Sequence, residues 1–472
     1  MEAAFNPSYT ICFDDWEEVM AEMKIIDNYL DAHIDESLQE LVRLCAQPSV
    51  SAQHWGLVEC ADLVAELMRK RGFRVEMLQT EGAPAVFAER KGRSNKTLIF
   101  YNHYDVQPAE PLELWESPPF VPTFRDGKLY ARGVNDDKGH ITSRLFAIDA
   151  LLANEGELPC NVKFFFEGEE EAGSVWLERI VSANKEKLAA DACIWESGGV
   201  DHHDVPQEYL GLRGLCYVEL SVETATQDVH SGTGGSIFPN SAWRLVWALN
   251  TLKGPDEFIN LPGFYDPVVP PSPHDRQLMA ALPDLAGEYK ERYGITQFLK
   301  GLSGGVDLNI AEVFEPTCTI CGLTSGYQGP GLKTVQPARA SAKVDFRLVP
   351  NQTPEQVLKA LRVHLDNHGF HDVQIAKLGG DPPARTDPDD PFIKLVVEAA
   401  RDVYEVPMQI LPMMGGSGPN HAFMHYLNVP IASSGVGYPG AQNHAPNENL
   451  RLDLYLKGAR HIVRILKAFG SS

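Results

Sequence analysis

Four short segments each close an apolar run with side chains that bind divalent metals. They are Tyr101-Asn102-His103-Tyr104-Asp105, Asn135-Asp136-Asp137 within Arg132 to Gly139, Glu167-Gly168-Glu169-Glu170-Glu171, and Trp195-Glu196. A fifth, Asn443-His444-Ala445-Pro446-Asn447-Glu448, comes near the C-terminus. Together they offer two histidines and several carboxylates, an O/N set suited to zinc or manganese. All five in this order point to a metal-dependent hydrolase.

A two-metal site needs one ligand shared by both ions, terminal ligands for each, and a base for the water between them. A carboxylate suits the shared position because it has two oxygens. Asp136 follows a glycine-containing turn and is placed to project between the ions. His103 supplies one imidazole and His444 the other. Asp105, two residues on and on the same side of an extended chain, is placed to fix the tautomer of His103. In Glu169-Glu170-Glu171, neighbours in an extended segment point to opposite sides. One glutamate is therefore free to ligate while another acts as general base.

The flanking pattern says what holds these groups. Leu98 to Tyr101, Val162 to Phe166 and Ala192 to Trp195 are short apolar runs, as expected of strands buried on both faces. Helical periodicity covers Ile34 to Cys45, Leu57 to Met68 and Ile141 to Leu152. Strands alternating with helices predict an α/β fold, a mostly parallel sheet with helices on both faces, whose strand ends carry the site. After about Arg213 the pattern changes. Alternating strands at Leu215 to Glu223, Thr317 to Leu323, Arg339 to Leu348 and Asp372 to Ala376 interleave with helices at Ser241 to Thr251 and Pro354 to Leu365. That order is β-α-β-β-α-β, an α+β ferredoxin-like unit interrupted by a proline-rich insertion over 253–316. Apolar helix and strand patterns return from Phe392 to Tyr404 and from Val429 to Ser433. The expected domains are 1–212 and 381–472 as one discontinuous catalytic domain and 213–380 as a lid and dimerisation domain.

Length and charge set the outer bounds. At 472 residues the chain exceeds one compact core. Its formal net charge of -23 argues against nucleic acid or an anionic membrane as partner. The eight cysteines show no framework spacing, which suits reduced thiols in a cytoplasmic protein. Cys318-Thr319-Ile320-Cys321 has redox spacing but falls on a strand and has no second pair. Met1 to Tyr9 shows no basic segment followed by an apolar run, so neither a signal peptide nor a membrane span is expected. The first twenty or so residues read as an extension before the first amphipathic helix.

With these motifs in hand, the chain resembles the co-catalytic zinc family of glutamate carboxypeptidase, aminoacylase, succinyl-diaminopimelate desuccinylase and the carnosine-type cytosolic dipeptidases. His103-Tyr104-Asp105-Val106-Gln107-Pro108, Arg132 to Gly139 and Phe166-Glu167-Gly168 with its glutamates resemble the carnosine dipeptidase branch in particular. The resemblance implies that Asp136 bridges the metals and is joined to Asp137 by a cis peptide. It implies Glu170 as general base, His103 and Glu196 as terminal ligands of one metal, and Glu171 and His444 as those of the other. Glu196 departs from the aspartate usual in the dipeptidase branch and matches the carboxypeptidase and deacylase branches; its longer side chain still reaches a metal.

Further along, Asp228-Val229-His230-Ser231-Gly232 resembles a lid motif whose histidine stabilises the oxyanion, often in the partner subunit. Arg347 resembles the arginine that takes a substrate carboxylate, and Gly415-Gly416-Ser417-Gly418 the loop that closes over it. Met413 and Met414 stand where the dipeptidases tend to carry charge, which bears on side-chain preference. The implied protein is a homodimeric, cytoplasmic two-metal dipeptidase acting on small peptides with a free carboxylate. Its two divalent ions are zinc, with manganese and cobalt also suited. A second substrate class, N-acyl or N-carbamoyl amino acids, fits Glu196 and the methionines. A non-catalytic binder would have lost the base or the bridge, and neither is lost.

Overall fold

The computed structural model describes residues 13–472; Met1 to Tyr9 and Cys12 lie outside the described residues. A helix already runs from Phe13, so the segment read as an extension is helical over its last part. The chain divides into two compact units. The first comprises residues up to Glu208, Asp389–Met408 and Ala432–Ser472; the second comprises Tyr209–Pro388 and Gln409–Ile431.

Residues 381–388 and 409–431 thus fall in the second unit, where the sequence had placed them with the first. Backbone pairing is the reason. Leu210 N–H donates to Leu411 O, Met414 N–H to Gly211 O and Arg213 N–H to Gly416 O, at 2.8–3.0 Å.

In the first unit, α1 (Phe13–Ala46), α2 (Leu57–Lys70), β1 (Arg74–Leu78), β2 (Ala85–Arg90) and β3 (Thr97–His103) come first. Then follow α3 (Lys138–Glu155), β4 (Asn161–Glu167) and β5 (Ala192–Trp195). The second unit is built on β6 (Gly214–Glu223), α4 (Ser241–Leu252), β7 (Thr319–Ser325), β8 (Arg339–Leu348), α5 (Pro354–Asn367) and β9 (Gln374–Gly379). Near the end of the chain β10 (Ile431–Ser433) and α6 (Leu452–Ser471) rejoin the first sheet and its helices.

The first sheet has the order β1-β2-β4-β3-β5-β10. At its centre β3 runs parallel to both β4 and β5, and these strands are buried almost throughout, as their largely apolar runs predict, with Lys163 of β4 a partly buried exception. β1 and β2 add an antiparallel edge. Helix α3 packs against α1, α6 and β3 and is buried on nearly every face. A small sheet pairs Lys128–Tyr130 with Thr123–Arg125 and with Asn449–Arg451, setting Asn449 opposite Tyr130. This pairing lays the His444 segment beside the Asp136 turn.

The second sheet, β7-β8-β6-β9, is antiparallel throughout. Alternate residues of β6 (Cys216, Val218, Leu220, Val222) pack with Leu245 and Ala248 of α4 and Val357 and Leu361 of α5. Thr353, Pro354 and Gln356 start α5 with a capping box and a proline in the first turn. The insertion over 253–316 folds into helices at Pro273–Ala281, Ala286–Tyr293 and Gly305–Phe314. Cys318 is buried and Cys321 exposed, both free thiols. Among the described residues no helix is long and apolar enough to cross a membrane.

Candidate metal centre

Each strand of the parallel centre delivers one group at its C-terminal end. β3 ends on His103, β4 runs into the one-turn helix Glu170–Ala172, and β5 is followed at once by Glu196. Asp136 and Asp137 stand at the N-terminus of α3, where the helix dipole favours negative charge. The Asp136-Asp137 peptide is cis, as the resemblance implied.

Asp136 sits between two imidazoles. His103 Nε2 is 3.0 Å from its Oδ1, and His444 Nε2 is 3.0 Å from its Oδ2. His444 Nε2 also lies 3.1 Å from Glu171 Oε2, and His103 Nε2 lies 3.9 Å from Glu196 Oε2. The ligand atoms of His103, Asp137 and Glu196 fall within 4.8 Å of one another, and so do those of Asp136, Glu171 and His444. The five expected ligands thus fall in these two groups, Asp137 joins His103 and Glu196 as a sixth residue, and Asp136 reaches across to His103. Glu196 Oε2 is buried with no hydrogen-bond partner. A buried, unpartnered carboxylate oxygen aimed into a nest of acids fits a cation ligand.

Support comes from residues behind the ligands. The Asp105 carboxylate accepts the backbone N–H of Glu170 at 3.1 Å and of Glu171 at 3.0 Å. His103 Nδ1 is nearer the main-chain oxygen of Asp105 (3.0 Å) than its carboxylate (3.4 Å). Asp105 thus grips the Glu170–Glu171 turn first and the imidazole second. Gln107 donates to Glu171 Oε2 at 2.8 Å. The buried Arg144 of α3 donates to Tyr101 O, Asn102 Oδ1, Trp195 O and Ser434 O, tying the ends of β3, β5 and β10. Sequence reading gave Gln107, Arg144 and Glu448 no role. Gln107 and Glu448 lay inside motifs already singled out, which was the available signal; a lone arginine in an apolar helical stripe was the signal for Arg144.

Crowded acids shift each other. Burial, with the charges of Glu171, Asp136 and Asp105, pushes the Glu170 carboxyl up to about 7 against the opposing pull of His103. Burial also raises Glu196 well above the usual carboxylate range. Asp136 goes the other way, because its hydrogen bonds to His103 and His444 outweigh burial. His444 is raised to about 10 by its bonds to Asp136 and Glu171. Burial opposes charge on His103, but Asp105 and Asp136 carry it well above its ordinary value. Divalent cations would relieve this congestion directly.

The remaining candidates lie elsewhere. Arg347 and Ser417 meet in the second unit, Arg347 Nη1 donating to Ser417 Oγ at 2.9 Å, and Gly416 O accepts Arg213 N–H. His230, also in the second unit, is exposed; its Nδ1 accepts Gly232 N–H and its Nε2 is 3.4 Å from Thr334 Oγ1. Glu169 points toward Gly82, where an added Cβ would fall 2.1 Å from Glu169 Oε2. His202 and His203 are exposed, in a turn closed by Asp201. Met413, noted for standing where the dipeptidases tend to carry charge, is a core residue. It is 1% exposed, packed among Met279, Ile310, Val313 and Phe314, and so anchors the glycine-rich loop to the insertion.

Known proteins match this chain along most of its length. The model of peptidase family M20/M25/M40 matches residues 99–468. The chain is 32% identical over 357 residues to the Beta-Ala-His dipeptidase of Rattus norvegicus, covering 72% of each chain. It is 29% identical over 465 residues to a Cys-Gly metallodipeptidase of Schizosaccharomyces pombe, covering 91% of this chain and 95% of that one. Among solved structures, an M20 family metallo-carboxypeptidase from Sulfolobus solfataricus superposes with a TM-score of 0.87 at 37% identity, covering 93% of this chain and all of that one.

Proposed function

We propose, from the premise that this chain belongs to peptidase family M20/M25/M40 and is a metal-dependent dipeptidase, that it cleaves small peptides with a free carboxylate at a two-metal centre. One observation carries the two-metal reading: the carboxylate of Asp136 stands 3.0 Å from each of two imidazoles, each of which leads to a further carboxylate. His103 and Glu196 would hold one divalent ion, Glu171 and His444 the other, and Asp136 both. Zinc suits this set; manganese and cobalt share its ligand preferences. Bound ions there supply Lewis-acid chemistry, polarising a carbonyl and acidifying water.

The protein's own groups do the rest. Glu170, held by the grip of Asp105 on its backbone, takes a proton from the attacking water and returns it to the leaving amine. Asp105 holds the base and the Glu171 ligand in register. Arg347, steadied by Asp345 at 3.2 Å and by Ser417, receives the free carboxylate with the backbone of Gly416 nearby. His230 supplies a donor to the developing oxyanion.

A homodimer is supported by an unpaired edge. β7 closes one side of its sheet with Ile320 (52%) and Leu323 (54%) exposed, and α4 exposes Trp243 (58%) and Trp247 (55%). An exposed edge strand is a template for pairing with another chain, and an exposed apolar patch marks an interaction site. A cytoplasmic location accords with the free, scattered thiols.

The test is release of free amino acids from a dipeptide library by the zinc-loaded protein, with a chelated control. Chelator-sensitive cleavage is expected, beginning with dipeptides such as β-Ala-His and Cys-Gly after which the relatives are named. A second reading, carboxypeptidase action on longer peptides, is favoured by the 37% identity to a metallo-carboxypeptidase and by Glu196. Tripeptides, and N-acyl and N-carbamoyl amino acids, belong in the same panel. An inert result on every dipeptide would end the dipeptidase reading and leave those classes.

A further inference from the structure

Glu448 lies outside both ligand groups, yet it is 1% exposed and every oxygen of its side chain is engaged. Its Oε1 accepts the backbone N–H of Asn135 and of Asp136, each at 3.0 Å. Its Oε2 accepts Gly133 N–H at 2.7 Å and the Arg132 guanidinium at 2.9 Å. One carboxylate thus gathers four donors from the five residues that end on Asp136. Its main chain joins in, since Glu448 O accepts Ala131 N–H at 3.2 Å.

The same residue terminates the loop that carries His444. Within that loop Gln442, His444 and Asn447 have φ of 57°, 61° and 62°, the left-handed region that disfavours residues with a Cβ. Asn and His tolerate that region better than most side chains, but three such residues in six positions still leave the loop in need of ends that hold it. At one end the Asn449 amide donates to Gly440 O at 3.1 Å and Ala441 O at 3.3 Å. Asn447 is clamped to the 114–116 segment by Glu116 N–H at 2.8 Å and Leu114 O at 2.9 Å. Glu448 fastens the loop to the Asp136 turn itself. Gly133 leaves no room for an alternative there: its φ is 76° and an added Cβ would meet Val106 at 2.3 Å.

We propose that Glu448 is a positioning residue that sets the distance between His444 and the shared carboxylate Asp136, and thereby the affinity of the centre for its metal ions. The proposal rests on the two-metal reading above. It requires an acceptor at both oxygens and not merely a side chain of this volume. In Glu448→Gln either orientation of the amide points an NH₂ group at two donors, so one half of the grip becomes repulsive.

The experiment is zinc binding to the full chain, measured by competition with a chromophoric chelator, alongside thermal melting of the metal-free protein. E448Q is expected to weaken at least one stepwise zinc affinity by about 10- to 100-fold, the range for residues that orient metal ligands. A role confined to stability would lower the melting temperature and leave the affinities of the folded protein within about threefold of wild type, and that result overturns the proposal. Arg132→Met keeps the three backbone donors and is expected to lower the melting temperature while leaving zinc affinity unchanged. A tenfold loss in R132M would place the effect in the ion pair and also overturn the proposal. Should E448Q not fold, Glu448→Asp carries the same readout, because it keeps the charge but cannot span both pairs of N–H groups. A wild-type chain that binds no zinc would instead sink the two-metal reading.

Discussion

Replacing Asp105 with asparagine tests whether one carboxylate organises the base. Asp105 is fully buried, and its two oxygens accept the N–H groups of Glu170 at 3.1 Å and Glu171 at 3.0 Å. Asparagine keeps the shape but turns one oxygen into a donor, which then faces one of these N–H groups. One charge-assisted bond is lost, and the other becomes neutral. A bond to a charged acceptor is worth about 1.5–3 kcal/mol and a neutral one about 0.5–1.5 kcal/mol, so the turn loses about 2–4 kcal/mol of restraint.

If that restraint is used in the transition state, kcat falls between about 30-fold and about 1,000-fold. The charge of Asp105 also contributes to raising Glu170, so its removal shifts the acid limb of the pH–rate profile downward. The assay is kcat and KM on a cleaved dipeptide from pH 5 to 9, with metal content measured on the same samples. A fully metal-loaded D105N with kcat within about threefold of wild type and an unmoved acid limb would refute the reasoning.

Three further outcomes are expected. Glu170→Gln should keep its metals and lose about 10²- to 10⁴-fold in kcat, the usual contribution of a general base; wild-type-like turnover would remove Glu170 from that role. Metal uptake at pH 7 should release at least two protons, because His103 is raised well above its ordinary value and His444 to about 10 in the metal-free protein, both must be neutral to ligate, and the raised Glu196 carboxyl must give up its proton as well. Affinity should therefore rise with pH toward about 10, whereas the metal-free protein gains from the charged His444 below pH 6.5 and loses that gain as pH rises through about 10. Calorimetry in two buffers of different ionisation heat reads the proton count, and no release would contradict the charged histidines. Finally, the proposed homodimer should give way to a monomer in sedimentation on Leu323→Lys with Trp247→Glu; a dimer that persists would move the interface away from β7 and α4, and a monomeric wild type would refute the dimer.

Much of this was legible in the chain. The short, largely apolar runs before His103, Glu167 and Glu196 announced parallel strands buried on both faces, since such strands carry little polar alternation. The alternation of Leu215 to Glu223 announced a half-covered antiparallel sheet for the same reason inverted. The ligand types were readable because metal chemistry restricts them to a few side chains. Less was readable at β1 and β2, whose short, partly polar edge strands carry little periodic signal. The amphipathic α6 went unassigned, and nothing in the sequence marked Met413 as core.

The distances were settled only by the fold. Asp136 and His444 are separated by 308 residues in sequence and meet because Asn449–Arg451 pairs with Lys128–Tyr130. No local rule predicts that register; it follows from packing the last segment onto the first unit. The grip of Asp105 on the Glu170–Glu171 turn, and of Glu448 on the Asp136 turn, likewise uses backbone N–H groups, which every residue has and no motif can display. Side-chain chemistry is written residue by residue. Which backbone groups a buried carboxylate will find is decided by tertiary packing alone.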